Sequence, residues 1–232
     1  MLYVMSDIHG CYDQYIKMLH QIGFGNGDTL YVLGDVVDRG DDGIKILWDM
    51  MHRNNVIPLL GNHEYMAYSV MKKCNVELTA DNFHTLCTEE TMEMYQEWMF
   101  NGGIPTIQQF LKLDKAKRES ITEYLGEFEL YEELTVNGNR FVLVHAGLNH
   151  FKESKPLHEY DIRDMIWEHC DYTRQYYKDQ YLVTGHTPTF LIDEKYRGKI
   201  YRGQNNIAID CGAVYGGSLG CICLNTLEEF YI

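Results

Sequence analysis

The chain has 232 residues, 45% hydrophobic and 13% aromatic, with a formal net charge of −14. That length and composition suit a single domain with a substantial core and exclude a disordered polymer. The negative balance opposes broad binding to a nucleic-acid backbone, which needs a positive face to release counterions, but permits a phosphate substrate wherever bound cations invert the local charge.

Leu2–Met5 predicts a short strand running directly into Asp7-Ile8-His9-Gly10, too short and too uncharged at its start for a secretion leader. Tyr15, Ile16, Leu19 and Ile22 share one face of a helix over Tyr12–Ile22, which Gly23 to Gly27 stop. Thr29–Leu33 predicts a second buried strand, ending at Gly34-Asp35-Val36-Val37-Asp38-Arg39-Gly40 and followed by a helix near Asp42–Met51. Val56–Leu60 predicts a third, ending at Gly61-Asn62-His63-Glu64. Strands that each run into a polar loop resemble the carboxyl edge of an α/β sheet, where such folds place ligands. From 64 to 130 the pattern turns helical, over Met66–Lys72, Met92–Phe100, Ile104–Leu111 and Lys115–Leu125, and predicts an insertion over the site.

Strands return at Glu132–Val136, with a hairpin turn at Asn137-Gly138-Asn139, and at Arg140–His145, which opens His145-Ala146-Gly147. Tyr181–Thr184 precedes Gly185-His186-Thr187-Pro188, and Ile200–Arg202, Ile207–Asp210, Cys221–Leu224 and Glu229–Tyr231 complete the set. This spacing predicts a second sheet, mixed or antiparallel, within one domain spanning 1–232. No apolar run approaches the roughly 20 residues of a membrane span. The 7 cysteines, an odd number in mostly apolar surroundings, suit a reducing compartment such as the cytoplasm; Cys221 and Cys223 read as two thiols on one face of a core strand.

Five motifs thus place a possible metal ligand after apolar strands. Asp7 and His9 are two apart, which in extended backbone sends both side chains to one side. A carboxylate with an imidazole suits a borderline or moderately hard ion such as manganese, iron or zinc. Asp35 can bridge two ions through its two oxygens, while Asn62, His145 and His186 offer neutral ligands. Two divalent ions beside only two aspartates leave a cationic pocket able to accept a phosphate dianion. Singly, each residue has an ordinary reading as a core histidine, a capping aspartate or a turn asparagine. Jointly those readings give no reason for His or Asp at the end of successive apolar strands. His20, His52, His84, His150 and His158 lack that setting and read as exposed.

These motifs resemble those of the calcineurin-like metallophosphoesterases, in the phosphoprotein phosphatase branch that includes bacteriophage-lambda-type and diadenosine-tetraphosphatase-like enzymes. The resemblance rests on Gly-Asp-x-x-Asp-Arg-Gly at 34–40 and Gly-Asn-His-Glu at 61–64. Asn101-Gly102-Gly103, Met165-Ile166-Trp167 and Ile209-Asp210-Cys211-Gly212-Ala213 with Gly216-Gly217 support it, and it runs over essentially the whole chain. It implies a mixed α/β (α+β) fold: a two-sheet β-sandwich flanked by helices, with a binuclear centre at one end.

By the same resemblance, Asp7, His9 and Asp35 hold a first divalent ion, and Asp35, Asn62, His145 and His186 a second, with manganese first and iron or zinc as alternatives. A metal-bridging hydroxide attacks phosphorus, His63 acts as the general acid oriented by Asp38, and Arg39 with Asn62 holds the phosphate. The implied substrate is first a phosphoserine or phosphothreonine protein and alternatively a small phosphate ester of the dinucleoside polyphosphate kind (bis(5'-nucleosyl)-tetraphosphatase-like). A non-catalytic scaffold is opposed by the intact ligand set, and a nuclease by the acidic balance. Oligomeric state stays open.

Two positions depart from the pattern. Ser6 replaces a glycine, and Trp167-Glu168-His169-Cys170 lacks the second phosphate-binding arginine of phage-type relatives, leaving Arg163, Arg174 or His169 as candidates for its place. Tyr95, Trp98 and Phe100 offer either a base-stacking wall or core packing, and Tyr172, Tyr176 and Tyr177 pose the same choice.

Overall fold

The computed structural model describes residues 1–76, 79 and 81–232. Strand alternation decides its layering. In β1 (Leu2–Met5), Tyr3 and Met5 face a helical layer while Val4 faces the opposite sheet. β1 pairs in parallel with β2 (Thr29–Val32), and β2 with β3 (Val56–Pro58). The other edge is antiparallel: β9 (Gly220–Cys223) pairs with β1, and β10 (Glu229–Tyr231) with β9.

The second sheet has the order β4 (Tyr131–Val136), β5 (Asn139–Val144), β6 (Gln180–Thr184), β8 (Asn206–Ala208), β7 (Tyr201–Arg202). Its three inner strands are mutually parallel and its two edges antiparallel. The sheets meet across a core that includes Val4, Leu33, Phe141, Leu143, Val183 and Ile222.

Helices cover the outer face of the first sheet. These are α1 (Tyr12–Gln21), α2 (Gly43–Met50), α3 (Asn62–Cys74), α5 (Glu89–Phe100), α6 (Ile104–Leu111) and α7 (Lys115–Leu125), contributing Met18, Leu47, Met66, Trp98, Phe110 and Ile121 to one buried cluster. A short α4 (Phe83–Leu86) precedes α5. Over the second sheet, α8 (Ile162–Ile166) and the segment after it bury Met165, Ile166, Tyr172, Tyr176 and Tyr177 against Val142, Val144 and Leu182. Those three tyrosines are therefore core. A last short helix, α9 (Thr189–Ile192), follows β6.

The expected two-sheet sandwich flanked by helices is the observed fold, with shifts at several boundaries. α3 begins at Asn62 rather than Met66, so Asn62, His63 and Glu64 form the first turn of a helix, where N–H groups point outward. β8 stops at Ala208, short of Asp210. Cys221 and Cys223 lie on the helix-facing side of β9 with Ile222 on the other, as expected, and all seven cysteines are free. The five histidines read as exposed are exposed. Among the described residues no helix is long and apolar enough to cross a membrane.

What positions the site is strand direction. Each sheet contributes three parallel strands, β1, β2, β3 and β5, β6, β8, and every motif lies just past the carboxyl end of one of them. The intersheet core that holds those ends together is tight, so Leu143→Ala is expected to lower the unfolding free energy by about 2–5 kcal/mol in urea titration. Leu191→Ala, at a side chain 65% exposed, is expected to stay within about 0.5 kcal/mol.

Candidate metal centre

The loops beyond these strands do not continue as extended backbone. Asp7, His9, Asp35, Asp38, Arg39 and His186 all have φ between 43° and 71°, a left-handed conformation costing side-chain-bearing residues about 1–3 kcal/mol each. The expectation that Asp7 and His9 project together from an extended strand is thereby corrected. β1 ends at Met5, and the turn sends the Asp7 carboxylate to the His186 amide (2.9 Å from Oδ2) and His9 Nδ1 to the Val37 carbonyl (2.9 Å).

The loops are sewn to one another. Asp7 N donates to Gly34 O (3.1 Å), His9 N to Asp35 O (2.9 Å), Gly10 N to Val36 O (2.8 Å) and Gly185 N to His145 O (2.7 Å). Contact is close enough to require glycine: a Cβ on Gly34, at φ 76°, would stand 2.6 Å from Gly61 Cα, and one on Gly185 would overlap Ser6 and Asp7.

Glu64, third residue of α3, is fully buried and saturated with donors. Oε2 accepts from Asp35 N (2.7 Å) and Gly61 N (3.2 Å), and Oε1 from Val36 N (2.8 Å) and Val37 N (3.1 Å). Burial, then the Asp35 charge, pushes its pKa up to about 7. Four N–H donors on the four lone pairs leave no seat for a proton and hold the anion against that push. Sequence reading passed over this residue. A glutamate at the third position of a helix, reaching back to the cap, is nevertheless a recognisable start signal.

Asp35 stands at the middle. His63 N, at the amino end of α3, donates to its Oδ1 (3.2 Å), a favourable place for an anion. Oδ2 faces His9 Nε2 at 3.6 Å and His63 Nε2 at 3.9 Å, while Oδ1 faces His145 Nε2 at 3.4 Å. Two groups with metal-ligand spacing share this carboxylate, His9–Asp35–His63 and Asp35–His145–His186.

In the second group Asn62 Oδ1 lies 3.0 Å from His145 Nε2 and 3.1 Å from His186 Nδ1, and those nitrogens are 3.2 Å apart. Ligand atoms at about 2.1 Å from one cation lie about 3.0–3.4 Å apart, so these three form a fitting face. The outer nitrogen of His145 is tied to Leu33 O at 2.6 Å and that of His9 to Val37 O, leaving Nε2 of each directed inward. Asp7 does not fall within the ligand spacing of the first group. Its carboxylate serves the His186 amide and the Ser6 hydroxyl.

The electrostatics suit cation capture. Burial, reinforced by His63, holds His9 well below the ordinary histidine range; burial and then His145 take His186 to about 3. Both rings are neutral and can offer a lone pair. For Asp35 burial acts upward, but His145, His63 and His9 together hold it well below the carboxylate range. Burial also acts against a charge on His145, yet Asp35 and Asp7 carry it up to about 10, so a cation at its Nε2 takes the place of a proton. Asp7 is raised well above its usual value by burial and then by Asp210.

Asp38 is wholly buried and receives His63 Nδ1 (2.7 Å), Trp98 Nε1 (2.7 Å) and Thr106 Oγ1 (2.6 Å). Trp98 is thus a fully buried partner of Asp38, so of its two readings core packing is the one observed, whereas Thr106 had no local signal in the sequence. The Arg39 guanidinium reaches His9 Nε2 and, at 2.9 Å, His63 Nε2, and lies 5.4 Å from the centre of the Tyr215 ring.

Of the candidates for the missing arginine, Arg163 rests on Trp167 (5.2 Å) and Arg174 on Tyr176 (4.9 Å). His169 instead stands beside the centre. Its ring is 5.0 Å from that of His186, and its Nδ1 is 2.8 Å from Thr187 Oγ1.

A family model for calcineurin-like phosphoesterases matches residues 1–209. A symmetrical bis(5'-nucleosyl)-tetraphosphatase of Neisseria gonorrhoeae (strain NCCP11945) is 24% identical, over 97% of this chain and 93% of its own. The asymmetrical bis(5'-nucleosyl)-tetraphosphatase PrpE of Geobacillus sp. (strain WCH70) is 25% identical, over 93% and 87%. The crystal structure of a candidate diadenosine tetraphosphatase superposes with a TM-score of 0.67 and 17% identity, covering 100% of this chain and 92% of that one, a likeness of fold.

Replacing Glu64 tests the clamp. Glu64→Gln trades acceptor positions for an amide facing N–H donors and is expected to cost about 3 kcal/mol of unfolding free energy. Elemental analysis of the same variant is expected to show less bound metal than wild type; unchanged stability with full metal content would remove the clamp from the account.

Proposed function

The chain belongs to the calcineurin-like phosphoesterase family, and from that premise we propose that it hydrolyses dinucleoside polyphosphates at a centre of two divalent cations, manganese first among the candidates. The observation that carries the centre is Asp35, whose two oxygens face two separate groups of donors. Similarity over nearly the whole length to tetraphosphatases of both cleavage types favours the dinucleotide over the phosphoprotein that the motifs alone put first. Its seven free cysteines suit the cytoplasm.

In this reading Asp7, His9 and Asp35 would hold the first cation, and Asp35, Asn62, His145 and His186 would hold the second. Bound there, the pair would supply Lewis acidity toward phosphoryl oxygens and acidify a water as nucleophile. The chain's own groups do the rest. Asp38 accepts the Nδ1–H of His63 and so orients the ring, and Nε2, once it has taken a proton from solvent, is the atom that gives a proton to the leaving oxygen. Arg39 now spans Nε2 of His9 and His63. A phosphoryl group entering the site takes over that fork of donors and frees His63 Nε2 to carry its proton. Trp98 on the same oxygen as His63, and Thr106 on the other, keep the Asp38 carboxylate from turning away.

The deciding measurement is a manganese-supplemented comparison of specificity constants for diadenosine tetraphosphate, a phosphoserine peptide and an aryl phosphate. The highest value is expected on the dinucleotide, and two ADP against ATP plus AMP in the product chromatogram identifies the cleavage. A phosphopeptide at the top would make this a protein phosphatase.

Two variants test the roles. His63→Asn is expected to keep the metal content while losing about 100-fold or more on an alkyl phosphoester and clearly less on p-nitrophenyl phosphate; equal losses would deny it the acid role. Asp35→Asn is expected to deplete both cation positions, and two retained ions per chain would refute bridging.

A further inference from the structure

Trp98 is buried and offers no stacking face, but an exposed tyrosine stands elsewhere, beside Arg39. Past β8 the chain forms a single 3-10 turn, Ala213–Tyr215, between Gly212 (φ 74°) and Gly216 (φ 79°). Gly217 N closes it by donating to Gly212 O at 2.9 Å. The turn presents Tyr215, 52% exposed, beside Arg39, the proposed phosphate-holding residue.

Behind it the Phe190 ring meets the Tyr215 ring edge-on, at 6.3 Å and 87°. A Cβ on Gly212 would come within 3.0 Å of Phe190 Cε1, so glycine there lets the two rings assemble. Arg197, itself paired with Glu194 at 2.6 Å, lies over Phe190 at 4.3 Å. From the centre outward the order is guanidinium, ring, ring, guanidinium. Nothing in phosphoester chemistry at Asp35 uses Tyr215.

We propose that Tyr215, backed by Phe190, is the platform on which one nucleobase of the substrate stacks while Arg39 holds a phosphoryl group beside it. The assignment rests on the dinucleotide reading for the identity of the ligand. It names a specificity-determining residue that acts on the base, away from the reacting bond. A π-face accepts any base, so the platform selects nucleotides over base-free phosphates without choosing among nucleobases. Arg39 over the same ring ties base binding to the placement of the phosphate fork.

The test is calorimetric binding of ADP and of pyrophosphate to the manganese-loaded protein, with Tyr215→Ala, Tyr215→Leu and Tyr215→Phe. Wild type is expected to prefer ADP. Tyr215→Ala and Tyr215→Leu are expected to weaken ADP about tenfold and pyrophosphate less than about twofold, and Tyr215→Phe to restore ADP.

Equal weakening of both ligands would mean that Tyr215 only props Arg39, and no weakening that it is a bystander; either overturns the platform. The two proposals fail separately. A wild type inert toward diadenosine tetraphosphate but with a Tyr215-dependent preference for ADP sinks the substrate assignment alone. Turnover with a KM indifferent to Tyr215 sinks the platform alone.

Discussion

One carboxylate holds the centre in shape. Glu64 reaches from the first turn of α3 into the loop after β2 and binds three successive N–H groups there, with a fourth at its own helix cap. The backbone it restrains runs through Asp35 into Asp38 and Arg39, each in a left-handed conformation that an isolated chain would leave. Asn62 and His63 share the helical turn with Glu64, so one interaction fixes the carboxylate between the donor groups, a neutral ligand and the acid candidate relative to one another. Histidine and aspartate at loop ends would otherwise wander by more than the few tenths of an ångström that coordination tolerates.

Charge is handled by layering. The chain is strongly acidic overall, yet three imidazoles face the Asp35 carboxylate; of the buried acids near it, Glu64 and Asp38 are engaged by N–H and O–H donors, and burial raises the proton affinities of Asp7 and Asp210. His145, His63 and His9 hold Asp35 well below the carboxylate range against its burial, so it offers an anion to a cation, while His9 and His186, held low by burial, offer lone pairs. With cations bound, a phosphate would meet a positive interior inside a protein that repels anions elsewhere.

Much of this was legible in the sequence because apolar runs ending in Asp, Asn or His mark strand ends at a ligand edge. Asp35, Asn62, His145 and His186 converge for that reason. What sequence could not show was how each turn leaves its strand. Period-two alternation placed Asp7 and His9 side by side, whereas positive φ at both sends them to different partners. The partner of Trp98, though not its place in the core, was illegible for a related reason, and Tyr215 was illegible altogether. An aromatic on a helix and one in a glycine-framed turn look alike in composition, and only tertiary packing buries the first against Asp38 and leaves the second open beside Arg39.

The register of β1 against β9 carries a consequence for synthesis. Tyr3 pairs with Cys223 and Met5 with Cys221, so the strand that delivers Asp7 is flanked on one side by residues made more than two hundred positions later. While the ribosome is still translating, that strand has one naked edge, rich in apolar side chains and prone to pair with a neighbour's. Losing the last strands would therefore expose the amino terminus to self-association as well as shorten the sheet. Vulnerability to premature termination is written into the first five residues.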